Sequence, residues 1–424
     1  MYFRQIYIFI LAVSIFTTGC QKLVNDPGGE DTNIEVDNGL NYWGGAYDDF
    51  GHAVVQTSDG GYAVVGSQFT SLDTQEDLML VKFNSSLVFV SDTSFGGENS
   101  AYNNVANDLQ QTKDGGYILV GTTYNADSLD SDVWIIKYTP KLVMTWQDTI
   151  DGGNNDLGQS VHQTQDGGYI VCGTSNDGDD DDIMLWKIAA NGLTHSILYS
   201  ETTNSGSDNG TSDKGFYAQQ TEDGGYIIVG NSFSTTNAKD IRLIKLNSSR
   251  DTTAANGGGF DSTYNVIDGY FNDKAVFVQE IDDGMGFVVV GNYWASGYGQ
   301  NNVFVIKTDY QGTKTSTATF GGGGNDYGNC VRQTQDGGFI IVGSKLSSQA
   351  TTNEDVWVIK LTYDLSTEWD YTYGGGTYDD IGTSVNQTTD GGYIITGNTY
   401  SYGNESEILL LKIDGSGAIQ DFSN

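Results

Sequence analysis

Basic residues are scarce: 19 Lys and Arg stand against 55 Asp and Glu, a formal net charge of −36. A surface of that sign excludes nucleic acid and anionic membrane faces as partners. Histidine is scarcer still, limited to His52, His162 and His195. No His-rich metal set or Ser-His-acid spacing can be built from them, and no phosphate-cradling loop or nucleotide fingerprint is present. Of three cysteines, Cys172 and Cys330 fall in different repeats, far apart, so a disulfide is not expected and both read as small buried apolar residues. The apolar stretch Ile6 to Phe16 is shorter than the roughly 20 residues that a permanent membrane helix needs.

Glycine, by contrast, is abundant, and it falls in a repeated frame. Seven times Gln-Thr-x-Asp-Gly-Gly-Tyr, or a close variant, precedes a short apolar run ending in Gly: Gly66, Gly121, Gly173, Gly230, Gly291, Gly343 and Gly397. The spacings are 55, 52, 57, 61, 52 and 54 residues, an internal period that sets the architecture. Each unit opens with a Gly-rich acidic loop such as Gly374-Gly375-Gly376-Thr377-Tyr378-Asp379-Asp380. A strand follows (Thr383 to Thr388), then a tight Asp390-Gly391-Gly392 turn and a β-branched strand, Tyr393 to Thr396. A third strand is clearest at Asp355 to Leu361, and a weaker fourth at Trp369 to Tyr373.

Strands two and three are almost continuously apolar, the pattern of a sheet covered on both faces by its neighbours. Four-stranded sheets stacked radially make a β-propeller. Residues 40–424 divide into seven units of 55, which predicts an all-β, seven-bladed propeller. The entry Leu40-Asn41-Tyr42-Trp43-Gly44-Gly45 matches the end of a fourth strand, so the N-terminal strand is expected to complete the last blade. The tail Gly417 to Phe422 competes for the same edge.

A lysine closes the third strand in every unit: Lys82, Lys137, Lys187, Lys245, Lys307, Lys360 and Lys412. Sevenfold recurrence points to structure, and each is expected beside its own turn acid in a partly solvated pair worth about 0–1 kcal/mol. An acid or amide opens the same strand (Asp77, Asp132, Asp182, Asp240, Asn302, Asp355, Glu407) and, like the acidic Gly-rich loops, reads as turn chemistry. Asp177, Asp179 and Asp181 resemble the start of a calcium loop, although Ile188 stands where its bidentate acid belongs. Three residues after each run-ending Gly stand Phe69, Tyr124, Asn176, Phe233, Trp294, Leu346 and Tyr400, expected to cover the neighbouring blade. Tyr293, Trp294 and Tyr298 form an aromatic cluster suited to stacking on sugar rings.

Arg4, the apolar stretch and Thr17-Thr18-Gly19-Cys20 read as a secretory signal. Gly19-Cys20 resembles the lipobox of bacterial lipoproteins, with Thr17 in place of the usual Leu. That resemblance implies a signal peptide over 1–19, an acyl (palmitate-type) anchor on Cys20 and a tether over 20–39. The repeated region as a whole resembles uncharacterised β-propellers with Gln-Thr-x-Asp-Gly-Gly-Tyr repeats in bacterial secreted proteins and lipoproteins, notably of the Bacteroidetes type. It implies a rigid disc at the cell envelope, anchored to the outer membrane. The expected role is a monomeric binding or scaffolding module for a polysaccharide or an envelope protein, with no cofactor beyond an optional Ca²⁺. A glycan-cleaving enzyme, with carboxylates about 5–10 Å apart at the channel mouth, is the competing expectation.

Overall fold

The computed structural model describes residues 35–37, 40–45, 47–69, 76–95, 103–124, 130–176, 178, 180–200, 212–233, 239–252, 259–266, 273–282, 284–295, 300–346, 353–374, 378–400 and 405–420. Among them, seven antiparallel sheets stand in a ring, and every element is a strand. Blade one is Asp49–Gln56, Tyr62–Phe69, Glu76–Phe83 and Phe89–Phe95, in that order, and blades two to six repeat it. The first strands are innermost, because each packs against the first strands of both neighbouring blades. Second and third strands are buried on both faces, as in Ser131–Tyr138, whereas fourth strands such as Phe89–Phe95 alternate between half-buried and exposed.

Leu40–Trp43 pairs antiparallel with Glu407–Ile413 and so completes the seventh blade, as expected. Trp43 is buried and stacks on Phe89 of blade one, with ring centroids 6.2 Å apart. Glu35–Asp37 folds back on this strand as a fifth one, within the stretch read as tether. The C-terminal tail uses the other end of the same edge: Ile419 bridges Ile413, and Gln420 N donates to Lys412 O at 2.9 Å. Head and tail therefore divide one strand between them, and little of its edge is left open.

Two glycine positions explain the repeated phrase. The inner strand slips register by one residue at the same place in all seven blades. That bulge presses a carbonyl onto the run-ending glycine: a Cβ on Gly121 would lie 1.9 Å from Val105 O. In Asp-Gly-Gly the first glycine adopts positive φ (83° at Gly337). The second leaves no space for a side chain, since a Cβ on Gly338 would lie 2.2 Å from Leu361 O and 2.6 Å from Lys360 Nζ.

Candidate functional site

The turn face is occupied by structure. Lysine–turn-acid pairs form at Lys82–Asp59 (3.4 Å), Lys137–Asp114 (3.0 Å), Lys187–Asp166 (2.7 Å), Lys245–Asp223, Lys360–Asp336 and Lys412–Asp390 (2.9 Å each). Burial pulls the Asp336 carboxyl upward, but Thr334, Lys360 and the Gly338 amide together hold it down to about 2. The acids are partly solvated, as expected, and Lys82 and Lys187 keep a little exposed side chain, but Lys245, Lys360 and Lys412 are completely buried. The side chain lies along the sheet floor and donates onward to a strand-end carbonyl, for instance Leu246 O at 2.9 Å. Blade five departs from the pattern. Its turn acid, Asp283, lies outside the described residues, and Lys307 donates to Tyr363 O at 2.7 Å with its Nζ 3.2 Å from the Tyr363 ring centre.

The repeat's glutamine belongs to the same face and carries an interblade ring that its recurrence alone did not reveal. Gln111 Oε1 accepts from Ser58 N of the preceding blade at 2.8 Å. The same bond recurs at Lys113–Gln163, Gln165–Gln220, Asp282–Gln333, Gln335–Gln387 and Thr389–Gln56. Blade five places Glu280 there, accepting from Glu222 N at 2.9 Å. These are seven bonds for seven junctions, and the ring closes from blade seven to blade one.

The opposite face carries the interblade loops and the loops between second and third strands. Its acidic loop residues do cap backbone: Ser406 N donates to Asp48 Oδ1 (2.6 Å), Ser131 N to Asn155 Oδ1 (3.1 Å) and Glu354 N to Asp379 Oδ1 (2.8 Å). Of the residues three places beyond the run-ending glycines, Phe69 packs edge-on against Phe50 of its own blade. Phe69 N and Tyr400 N bond to Asp48 O and Asp379 O, because the end of strand two runs beside the entry to strand one. Three aromatic rings on this face are exposed: Tyr124 (44%), Trp294 (39%) and Tyr378 (49%). Of the aromatic cluster in blade five, Tyr293 is buried, Trp294 is on the surface, and Tyr298 lies outside the described residues. Asp177, Asp179 and Cys20 also lie outside them, while Asp181 accepts from Asn176 Nδ2 at 2.9 Å and pairs with Lys214 at 3.3 Å.

Between the faces, inner-strand side chains meet on the axis. Arg332 of blade six donates to Tyr217 OH of blade four at 3.2 Å, a contact between non-adjacent blades that crosses the channel. Tyr217 stacks on Phe277 at 3.8 Å between centroids, and Arg332 lies over Phe277 at 4.5 Å. His162 Nε2 meets the Tyr217 hydroxyl at 2.5 Å, and Gln110 Nε2 lies 3.5 Å from His162 Nδ1. Gln110 Oε1 already accepts from Gln163 N, so its amide nitrogen faces the ring; this assigns the hydrogen to His162 Nε2, which donates to the phenol. Burial, with Arg332 adding to it, lowers His162 to about 3, so the ring is neutral. Burial also pushes Asp108 up to about 7, against the Val161 amide, Arg332 and the Leu109 amide, which favour the charged form. Asp108, His162 and Arg332 are enclosed by protein yet keep some accessible surface, because they line a channel and do not fill solid core. The positions of Asp108 and Arg332 recur in every blade as Ala53, Asp108, Ser160, Tyr217, Phe277, Cys330, Ser384 and as Val55, Gln110, His162, Gln219, Gln279, Arg332, Asn386. Asp108 is the single acid in these two rings. Both His162 and Arg332 stand in repeat positions held by Gln, Asn or Val elsewhere, the one sequence signal that marks them.

Where blades two and three meet, Asp132, Asp151 and Asp156 each bring one carboxylate oxygen within 4.8 Å of the others, a grouping that can hold a metal ion.

No protein-family model matches the chain, and no curated protein matches it. Solved structures do. The polysaccharide lyase Uly1 is 11% identical, with a TM-score of 0.54, over 90% of this chain and 94% of that one. Sqt1 of Chaetomium thermophilum is 11% identical, with a TM-score of 0.50, over 89% and 86%. A protein of unknown function from Bacteroides caccae is 11% identical over 67% and 84%, at a TM-score of 0.39 too low to bear on the fold. At such identities the first two likenesses speak for the propeller fold alone.

Proposed function

We propose that this protein is a binding or scaffolding module of the cell envelope that takes up a polysaccharide or an envelope protein on its loop face. The observation that carries this reading is the set of exposed rings there, Tyr124, Trp294 and Tyr378, set among acidic loops. Aromatic faces and nearby hydrogen-bonding groups are what sugar rings and flat protein epitopes require. The other face is spent on lysine pairs and glutamine clamps, which leaves it little free chemistry. The single acid in the two channel rings weighs against glycan hydrolysis by paired carboxylates. Asp108, poised near neutral pH, is the group a cleaving enzyme would use, and it keeps that second reading open to test.

Anchoring through acylated Cys20 at the outer membrane, with the propeller as a monomer, completes the proposal. Incorporation of labelled palmitate that disappears in Cys20→Ser would support the anchor. Glycan-array binding of the purified protein, followed by product analysis of each hit, tests the rest. Binding without product, reduced at least tenfold in Tyr124→Ala/Trp294→Ala/Tyr378→Ala, is expected. Product formation abolished by Asp108→Asn would replace the module with an enzyme.

A further inference from the structure

At the junctions into blades one, six and seven the acid or amide opening a third strand lies near the residue that opens the next inner strand (Glu407–Asp49, Asn302–Asp326 and Asp355–Asp380), beneath the interblade loop. At four junctions an amide or a basic side chain limits the crowding of charge. The entry to blade two has uncharged Asn104 at the inner-strand position. Into blade four, Arg242 pairs with Asp213 at 2.8 Å. Into blade five Lys314 acts on Asp273, and into blade six Lys345 acts on Asp326, which faces Asn302.

Among the described residues, the junction of blades two and three is where three carboxylates converge. The charged groups bearing on Asp132 are Asp151, Asp130 and Asp156, and those bearing on Asp156 are Asp151 and Asp130. Asp156 is completely buried and Asp132 is 6% exposed. Asp156 Oδ2 accepts from Gly152 N at 2.5 Å and Asp151 Oδ1 from Gly153 N at 2.8 Å, so the loop backbone orients both carboxylates. Asp132 Oδ1 is buried with no hydrogen-bond partner among the described residues, and Asp156 Oδ1 is buried beside it, with Ser175 as the neighbouring hydroxyl. A buried carboxylate oxygen left unpaired against another carboxylate is costly unless a proton or a cation stands between them, and three converging carboxylates suit a cation.

We propose that Asp132, Asp151 and Asp156 form a calcium site that clamps blade two to blade three. The donors are all hard oxygens, which suits calcium or magnesium and not zinc or copper. They come from three separate places: the start of a third strand, an interblade loop and the next inner strand. Such a shell is irregular, which calcium's flexible coordination tolerates and magnesium's near-ideal octahedron does not; water would complete it for either ion. Asp151 is exposed and provides the way in. With three carboxylates the affinity belongs in the range of extracellular modules, a Kd on the order of 10⁻⁴–10⁻³ M.

The test uses the purified protein freed of metal with EDTA, then titrated with CaCl₂, MgCl₂ or TbCl₃. Calcium at 10 mM is expected to raise Tm by about 1–3 °C, and magnesium by less. Terbium luminescence should saturate at one site and be displaced by calcium. Asp151→Asn, an exposed change that leaves the core alone, should weaken terbium binding at least tenfold. Asp132→Asn should raise Tm in EDTA, because it removes repulsion, and should abolish the calcium response. The site is overturned by an equal Tm in calcium and EDTA, by a calcium response that survives both variants, or by an equal response to magnesium.

Discussion

Lys245 has no accessible side-chain surface, while its partner Asp223 keeps about a third of its own (34%). The lysine is therefore committed to the interior and the acid is not, an asymmetry that periodicity alone does not expose. Its ammonium is held by both Asp223 oxygens, at 3.1 and 2.9 Å, and by Leu246 O. Removing the acid strands a buried charge. Asp223→Ala is expected to destabilise by about 1–3 kcal/mol in urea unfolding, less than for a fully enclosed pair because the acid is wetted. Loss of under about 0.5 kcal/mol would mean that carbonyls alone suffice for the lysine. On the axis, His162, Tyr217 and Arg332 depend on one another in the same way, and only the folded ring brings their three blades together.

Within the blade, the repeated phrase reads as a set of joints. Gln111, Gln163, Gln220, Gln333 and Gln387 each accept from the preceding blade and donate to their own turn, at 3.1–3.5 Å in the latter bond. Glu280 breaks the series. It keeps the acceptor, but burial, with Glu222 and Asp223 adding to it, raises its carboxyl against the Glu222 amide and the Tyr310 hydroxyl. Glu280→Gln retains the bond to Glu222 N, removes a disfavoured charge and supplies the missing donor. It is expected to raise stability by about 0.5–1.5 kcal/mol, seen as a higher urea midpoint at unchanged m-value. A lower midpoint would show that the charge has a partner of its own.

At the scale of the molecule, opposing titrations shape the response to pH. The turn acids Asp114, Asp166, Asp336 and Asp390 are held to about 2, below the ordinary 3.8. Their contribution is complete above 3.8 and is lost as pH falls through 2. Asp108 and Asp273 are pushed mainly by burial up to about 7 and about 6. Their contribution is complete below 3.8 and is lost as pH rises through 6 and 7. Buried His162, lowered to about 3, works the other way, its contribution complete above 6.5 and lost as pH falls. Thermal unfolding from pH 2 to 9 should therefore give a broad maximum in Tm between about pH 4 and 6, falling on both sides. A maximum at pH 7 or above would contradict the buried, protonated acids.

Blade number, strand order and closure were legible in the chain because they follow from local rules repeated seven times. Asp-Gly-Gly makes a tight hairpin turn, β-branched runs make strands, and the Trp43-Gly44 entry supplies the fourth strand that the last repeat lacks. The lysine–acid pairing was legible too, since both ends lie within one blade. What escaped it depends on distances between blades: the glutamine ring, the axial meeting of Asp108, His162, Tyr217 and Arg332, and the convergence of Asp132, Asp151 and Asp156. Those residues are separated by about one or more repeats, or belong to turns whose approach is set by how the blades tilt together. A periodic pattern specifies its unit. Only packing the units around an axis specifies which of their side chains meet.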